Sequence, residues 1–197
     1  MIAYFYVKKE DTEETSECGL KLSKWFDTDI VIDIFKKKAI TAYLSPKDNM
    51  KKYKDKAYDC LKLDLHDEKI YIVENAYKEV NEIEWYFESI IPAKQYKVGM
   101  YRKPVFVITY TVLGDYISIL DKSRDIPILY DSSEEMYLKT LFTTFEENDD
   151  KFYDRAFLGY VENIPNCKKI NVNSKKYVIY IARNKRYIIK GKRKDEK

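Results

Sequence analysis

The sequence predicts an α+β protein with a strand-rich front half, and three observations carry that prediction. Short runs such as Cys60 to Leu65 (CLKLDL) alternate apolar and polar residues, the period of a half-buried strand. Two later segments, 132–146 and 151–163, space their apolar residues as helices do. Hydrophobic residues make up 45% of the chain and charged residues 35%, so a packed core with a solvated surface is affordable.

Met1 to Val7 reads as an opening strand. Glu10 to Cys18 is polar and helix-permissive, with Asp11 or Thr12 as its N-cap and Gly19 as its stop. Ile30 to Phe35 and Ala39 to Leu44 read as strands around a basic turn, Lys36 to Lys38. Pro46 to Lys54 is a turn followed by a polar helix start. Strands follow at Cys60 to Leu65 and Ile70 to Val73, then a short helix or loop from Ala76 to Glu82. Glu84 to Ile91, rich in aromatics and closed by Pro92, is expected as a strand. Lys103 to Leu120, with Gly114 in its middle, is a hairpin or two short strands. Ser132 or Ser133 caps the first long helix, with Glu134 and Glu135 in its first turn. Tyr177 to Ala182 and Arg186 to Lys190 pair as a β-hairpin through Arg183-Asn184-Lys185. The expected domains are 1–110, β-rich, and 111–197, a helical segment plus a basic hairpin packed on the first.

Composition excludes several classes. Five glycines and no GxGxxG or Walker pattern argue against a glycine-rich phosphate loop. Cys18, Cys60 and Cys167 are far apart and odd in number, which argues against a disulfide framework or a zinc pair; Cys18 and Cys60, among apolar neighbours, read as buried thiols. No metal is expected. No apolar run reaches the roughly 18 residues of a membrane helix, and the first residues lack a signal pattern, so a cytoplasmic location is expected. His66 reads as an exposed turn histidine. Asn148-Asp149-Asp150 lacks the spacing of a calcium loop. The 19 tyrosines suit half-buried sheet surfaces, and tyrosine also stacks on bases and nicotinamide rings.

Charge is unevenly placed. Residues 168–197 hold 12 of the 36 lysines and arginines but only 2 of the 33 acidic residues. Arg183, Lys185 and Arg186 fall at the hairpin tip, where they suit a phosphate backbone, and Tyr177, Tyr180 and Tyr187 suit stacking on unpaired bases. The same pattern also serves as an edge hairpin kept soluble by lysine.

Three phrases stand in order along the front half: YFYVKKEDTEETSECGL, YLSPKDNM and EWYFESIIP. Together they resemble the ADP-ribosyltransferase fold, in particular the DarT-type DNA ADP-ribosyltransferase toxins, over residues 1–98. Gly19-Leu20 match that family's helix end. Tyr43, Leu44, Pro46, Lys47 and Met50 match its second phrase, with lysine in place of arginine. Glu84 and Pro92 match its third by spacing. No histidine or threonine stands on the first strand, where Tyr4 and Tyr6 lie instead, and the interval between the second and third phrases is shorter than in those toxins. The resemblance implies a split, twisted β core of ADP-ribosyltransferase type with a helical and β-hairpin C-terminal extension. It implies transfer of ADP-ribose from NAD to a macromolecule, with nucleic acid as a candidate acceptor. Glu84 would be the carboxylate that steadies a ribosyl cation, with Glu82 and Glu88 on the same side of an extended chain as alternates. Lys47 would hold the pyrophosphate as a point charge. Tyr4, Tyr6, Gly19, Leu20 and Tyr43 would shape the NAD site, and Ser45 and Asn49 would donate to ribose. The alternative is a non-catalytic module that binds nucleic acid or protein through the basic hairpin. A third is a partner-dependent protein of a toxin or phage-defence system, held by an antitoxin-like protein.

Overall fold

The computed structural model describes residues 1–32, 34–66, 69–122, 131–147, 167–172, 175–182 and 185–190. In chain order the elements are β1 (Ile2–Lys8), α1 (Lys9–Cys18), α2 (Leu22–Trp25), β2 (Thr28–Ile32), β3 (Phe35–Tyr43), a 3-10 turn (Pro46–Asn49) and α3 (Met50–Lys54). Then come β4 (Tyr58–Asp64), β5 (Ile70–Glu74), α4 (Ala76–Glu79), α5 (Ile83–Glu88), β6 (Ile91–Pro92), β7 (Pro104–Ile108), β8 (Ile117–Leu120) and α6 (Ser133–Glu147). The last are β9 (Cys167–Val172), β10 (Lys175–Ala182) and β11 (Lys185–Lys190). The helix expected over 151–163, Arg183 and the Asn148–Asp150 stretch lie outside the described residues.

The chain forms two compact units, Met1–Lys139 and Thr140–Lys197. The first holds a sheet in the order β6-β5-β7-β3-β1-β4-β8, with β2 attached to β3, and every pairing is antiparallel. The boundary expected after residue 110 falls inside this unit, because β8 pairs with β4 from Cys60↔Leu120 to Leu63↔Ile117. The segment 103–120 forms two strands with different partners, not a hairpin. The mixed α+β class holds, with an antiparallel sheet and several helices. The second unit holds a three-stranded antiparallel sheet, β11-β10-β9, so the expected hairpin gains a third strand at 167–172.

Both faces of the main sheet are covered, which is why β1 reads as a continuous apolar run. Ala3, Phe5 and Val7 join Ile40, Ala42, Leu61, Leu63, Ile72 and Phe106 in one core. On the opposite face Tyr4, Tyr6 and Cys60 pack with Tyr43, Tyr53 and Tyr58. Much of the tyrosine content is therefore packing. In the β2–β3 ribbon Ile32 pairs with Phe35, so Lys36 to Lys38, expected as the turn, belong to β3. Its inner residues Ile30 and Ile32 pack with Tyr86, Val73, Val105 and Val107 in a third cluster.

Glutamates 84 and 88 do not lie on a strand. Ile83–Glu88 is a short helix, since Ile83, Tyr86, Phe87 and Ile90 recur at helical spacing. Helix α1 starts at Lys9, one residue before the expected Glu10, with Lys8 rather than Asp11 or Thr12 at its N-cap. Gly19 does end it, at φ 87°, and Leu20 bridges Val112 through reciprocal backbone bonds of 2.7 and 3.2 Å. A Cβ on Gly19 would stand 2.5 Å from the Val112 carbonyl oxygen, and one on Gly114 2.5 Å from that of Glu17. This glycine-lined seam closes α1 over the segment before β8. Replacing Gly19 by alanine combines a left-handed φ with a backbone collision, so Gly19→Ala should destabilise the fold by about 2 kcal/mol or more. An unchanged urea midpoint would show that the seam has room.

Candidate functional site

The turn after β3 concentrates polar side chains. Ser45 caps the 3-10 turn: its Oγ accepts from Lys47 N, and Asp48 Oδ2 accepts from Ser45 N at 2.9 Å. Asp48 also caps α6, its Oδ1 accepting from Ser133 N at 2.6 Å and its Oδ2 from Ser133 Oγ at 2.7 Å. Ser45 Oγ in turn donates to the Asp131 carbonyl. Burial pushes the Asp48 carboxyl above its ordinary value, and the donations from Ser133 and Ser45 hold it back. Asn49 Oδ1 accepts from Lys52 N at 3.0 Å, while its Nδ2 donates to the Tyr43 hydroxyl at 2.6 Å. Beneath the turn, the buried Tyr6 hydroxyl donates to the Pro46 carbonyl.

A cleft of about 440 Å³ opens beside this turn, bordered by Tyr43, Lys47, Asp48, Asn49, Met50, Lys51, Glu79, Arg102, Lys103 and Glu134. Its far wall is held by Glu74, a buried carboxylate that accepts from the backbone N–H groups of Ala76, Arg102 and Lys103. Arg102 Nε meets Glu134 at 2.8 Å, and Lys103 pairs with Glu79. The rim thus carries four cations against three carboxylates, with each carboxylate already bonded.

The residues implied by the resemblance separate into three groups. Tyr43, Lys47 and Asn49 share the cleft wall. Ser45 is buried, and its hydroxyl is engaged in capping and in the bond to Asp131; the Asn49 amide is likewise engaged. Tyr4 and Leu20 are buried in the core, and Gly19 lies in the seam with Val112. Tyr6 is buried too, edge-on to Tyr43 with ring centroids 6.3 Å apart. Glu84 is exposed on α5 and does not border the 440 Å³ cleft. Glu82 and Glu88 are exposed as well. Sequence reasoning missed Arg102, Lys103 and Glu74; the signal was a basic pair directly before the buried strand PVFVI.

No family model, curated protein or solved structure matches the chain.

His66 is exposed and sits 3.1 Å from Asp64, against the Tyr116 ring. Cys18, expected as a buried thiol, is exposed at the end of α1, whereas Cys60 is buried as expected. No helix among the described residues is long and apolar enough to cross a membrane.

In the second unit the register sets Tyr180 opposite Tyr187, Ile181 opposite Arg186 and Ala182 opposite Lys185. Tyr177 stands opposite Ile170 and Lys190. Strands β9 to β11 include Lys168, Lys169, Lys175, Lys176, Lys185, Arg186 and Lys190 and no acidic residue.

Two measurements test the support beneath the turn. Tyr6→Phe leaves the buried Pro46 carbonyl without its donor and should cost about 1–1.5 kcal/mol in urea unfolding; no loss would mean that the turn stands without it. Burial pushes the Cys60 thiol up to about 12. The native state then keeps a proton that the unfolded chain releases from about pH 8.5 upward, so this contribution to stability is full below that pH and is lost as pH rises toward 12. Cys60→Ala should flatten the alkaline decline by up to about 1.4 kcal/mol per pH unit. An unaltered slope would show that the thiol ionises as freely in the native state.

Proposed function

We propose that the chain binds nucleic acid through the sheet of β9, β10 and β11. The supporting observation is that its twenty strand residues include seven cations and no carboxylate, with Tyr180 and Tyr187 paired across the ladder. A backbone of phosphates gains from such a surface by releasing condensed counterions, while paired tyrosines offer unpaired bases a stacking surface. Lys185 and Arg186 begin β11, beside the turn, and act as backbone contacts.

A second reading keeps transfer of ADP-ribose from NAD. In its favour, Tyr43, Lys47 and Asn49 border one cleft of a size suited to a nucleotide. With Glu84 outside that cleft, this reading needs Glu79 or Glu134 to leave its cationic partner and face the ribosyl cation.

Fluorescence anisotropy with a labelled single-stranded oligonucleotide separates the two. Affinity should fall steeply with salt, and Lys185→Glu with Arg186→Glu should reduce the slope of log K against log salt by about 1.4, some 0.7 per lost contact. Tyr180→Ala should weaken binding by about 1–3 kcal/mol without changing that slope. Affinity indifferent to salt would exclude the nucleic-acid reading. Under the transferase reading, NAD at a hundredfold excess over its dissociation constant should stabilise the fold by about 2.7 kcal/mol.

A further inference from the structure

Two neighbouring parts of the first unit expose large apolar residues that their own packing does not explain. At the tip of the β2–β3 ribbon, Ile34 is 91% exposed and Phe35 65% exposed. On and just before α5, Trp85 is 57% and Val80 67% exposed. The two parts are adjacent: Tyr86 and Phe87 of α5 pack with Ile30 and Ile32 of the ribbon, and Lys78 Nζ donates to Thr28 Oγ1 at 3.1 Å. Ile34 also holds φ 67°, a left-handed conformation that strains a β-branched residue, yet the isolated unit buries nothing of it.

Charge divides between the same two parts. Behind the tip stand the exposed Lys36, Lys37 and Lys38, whereas α5 and its approach present the exposed Glu82, Glu84 and Glu88. Within the chain these sets do not pair. Lys36 meets Asp29 at 3.0 Å, and Lys38 lies over the Phe26 ring. Among the described residues, Lys37 and the three glutamates have no ionic partner. An apolar tip backed by the lysines of β3, with Asp33 in its sequence, next to an acidic apolar helix is complementary in net charge to a copy of itself turned through a twofold rotation, with each lysine-bearing strand on the other chain's helix. An anionic membrane or a nucleic acid fits the lysines but is repelled by the glutamates, so the charge pattern selects a second copy.

We propose that the ribbon tip and α5 form an isologous contact between two copies of this chain, with Ile34 and Phe35 against Trp85 and the lysines facing Glu84 and Glu88. This contact is independent of the nucleic-acid reading and uses no residue of the second unit. It gives the phrase EWYFESIIP an interface role in place of a catalytic one.

Sedimentation velocity on the full chain tests it by charge exchange. The wild type should dimerise, and more weakly at high salt. Lys37→Glu with Lys38→Glu, and separately Glu84→Lys with Glu88→Lys, should each be monomeric, because each places like charges across the contact. Mixed in equal amounts, the two variants should form a heterodimer, since both halves of the contact then regain opposite signs. Ile34→Asn relieves the left-handed strain, so it should raise Tm while weakening dimerisation by about tenfold or more. A wild type that stays monomeric at its highest soluble concentration would overturn the proposal. So would single-set variants that remain dimeric, or a mixture that stays monomeric while both variants keep wild-type circular dichroism.

Discussion

One carboxylate, that of Asp48, joins two pieces of backbone more than eighty residues apart. Its Oδ2 accepts from Ser45 N and from the Ser133 hydroxyl, and its Oδ1 from the Ser133 amide. A carboxylate at a helix start gains from the helix dipole and satisfies donors that the helix cannot pair internally. Here the same anion also closes the preceding 3-10 turn, so the turn and α6 start from one shared point. The Ser45 hydroxyl on the Asp131 carbonyl and the Arg102–Glu134 pair strengthen that junction. The wall of the 440 Å³ cleft follows from it: Lys47, Asn49 and Ser133 stand where they do because Asp48 holds both segments.

This constraint explains why the phrase YLSPKDNM looks like a site. Serine, proline, aspartate and asparagine in close succession are also what a capped turn requires, and here the chain uses them so. Among the polar residues of the phrase, Lys47 borders the cleft. Glu74 offers a parallel case: its carboxylate orders the Arg102–Lys103 backbone and leaves the two cations facing the cleft. Structure and recognition thus divide the polar groups, with carboxylates inside holding cations outside.

Much of the architecture was legible in the sequence. Alternation in CLKLDL marked β4, the Gly19 stop marked the end of α1, and the acidic first turn after Ser133 marked α6. The expectation at 84–91 went astray because aromatic and β-branched residues favour strands, while the spacing of Ile83, Tyr86, Phe87 and Ile90 is helical. A helix of six residues has little propensity of its own; packing of Tyr86 and Phe87 against the ribbon holds it. The ribbon turn was misplaced toward the lysines, since nothing in VIDIF announces that an isoleucine will adopt a positive φ. The cleft could not be read at all. Its walls come from segments about fifty or more residues apart, brought together by the pairing of β3 with β7 and by the bonds from Asp48 to Ser133.

The position of β1 has a consequence for how the molecule comes into being. This strand is central, pairing with β4 along its whole length and with β3 at Tyr4↔Tyr43, yet it precedes every partner in the chain. As the protein emerges from a ribosome, an apolar run of two-sided strand must wait for some fifty further residues before its longest neighbour exists. Distant pairings of this kind close slowly, and the waiting segment is an open edge for other nascent chains. Until Leu61 and Leu63 arrive, IAYFYV therefore lacks the longest partner that covers its edge in the finished sheet.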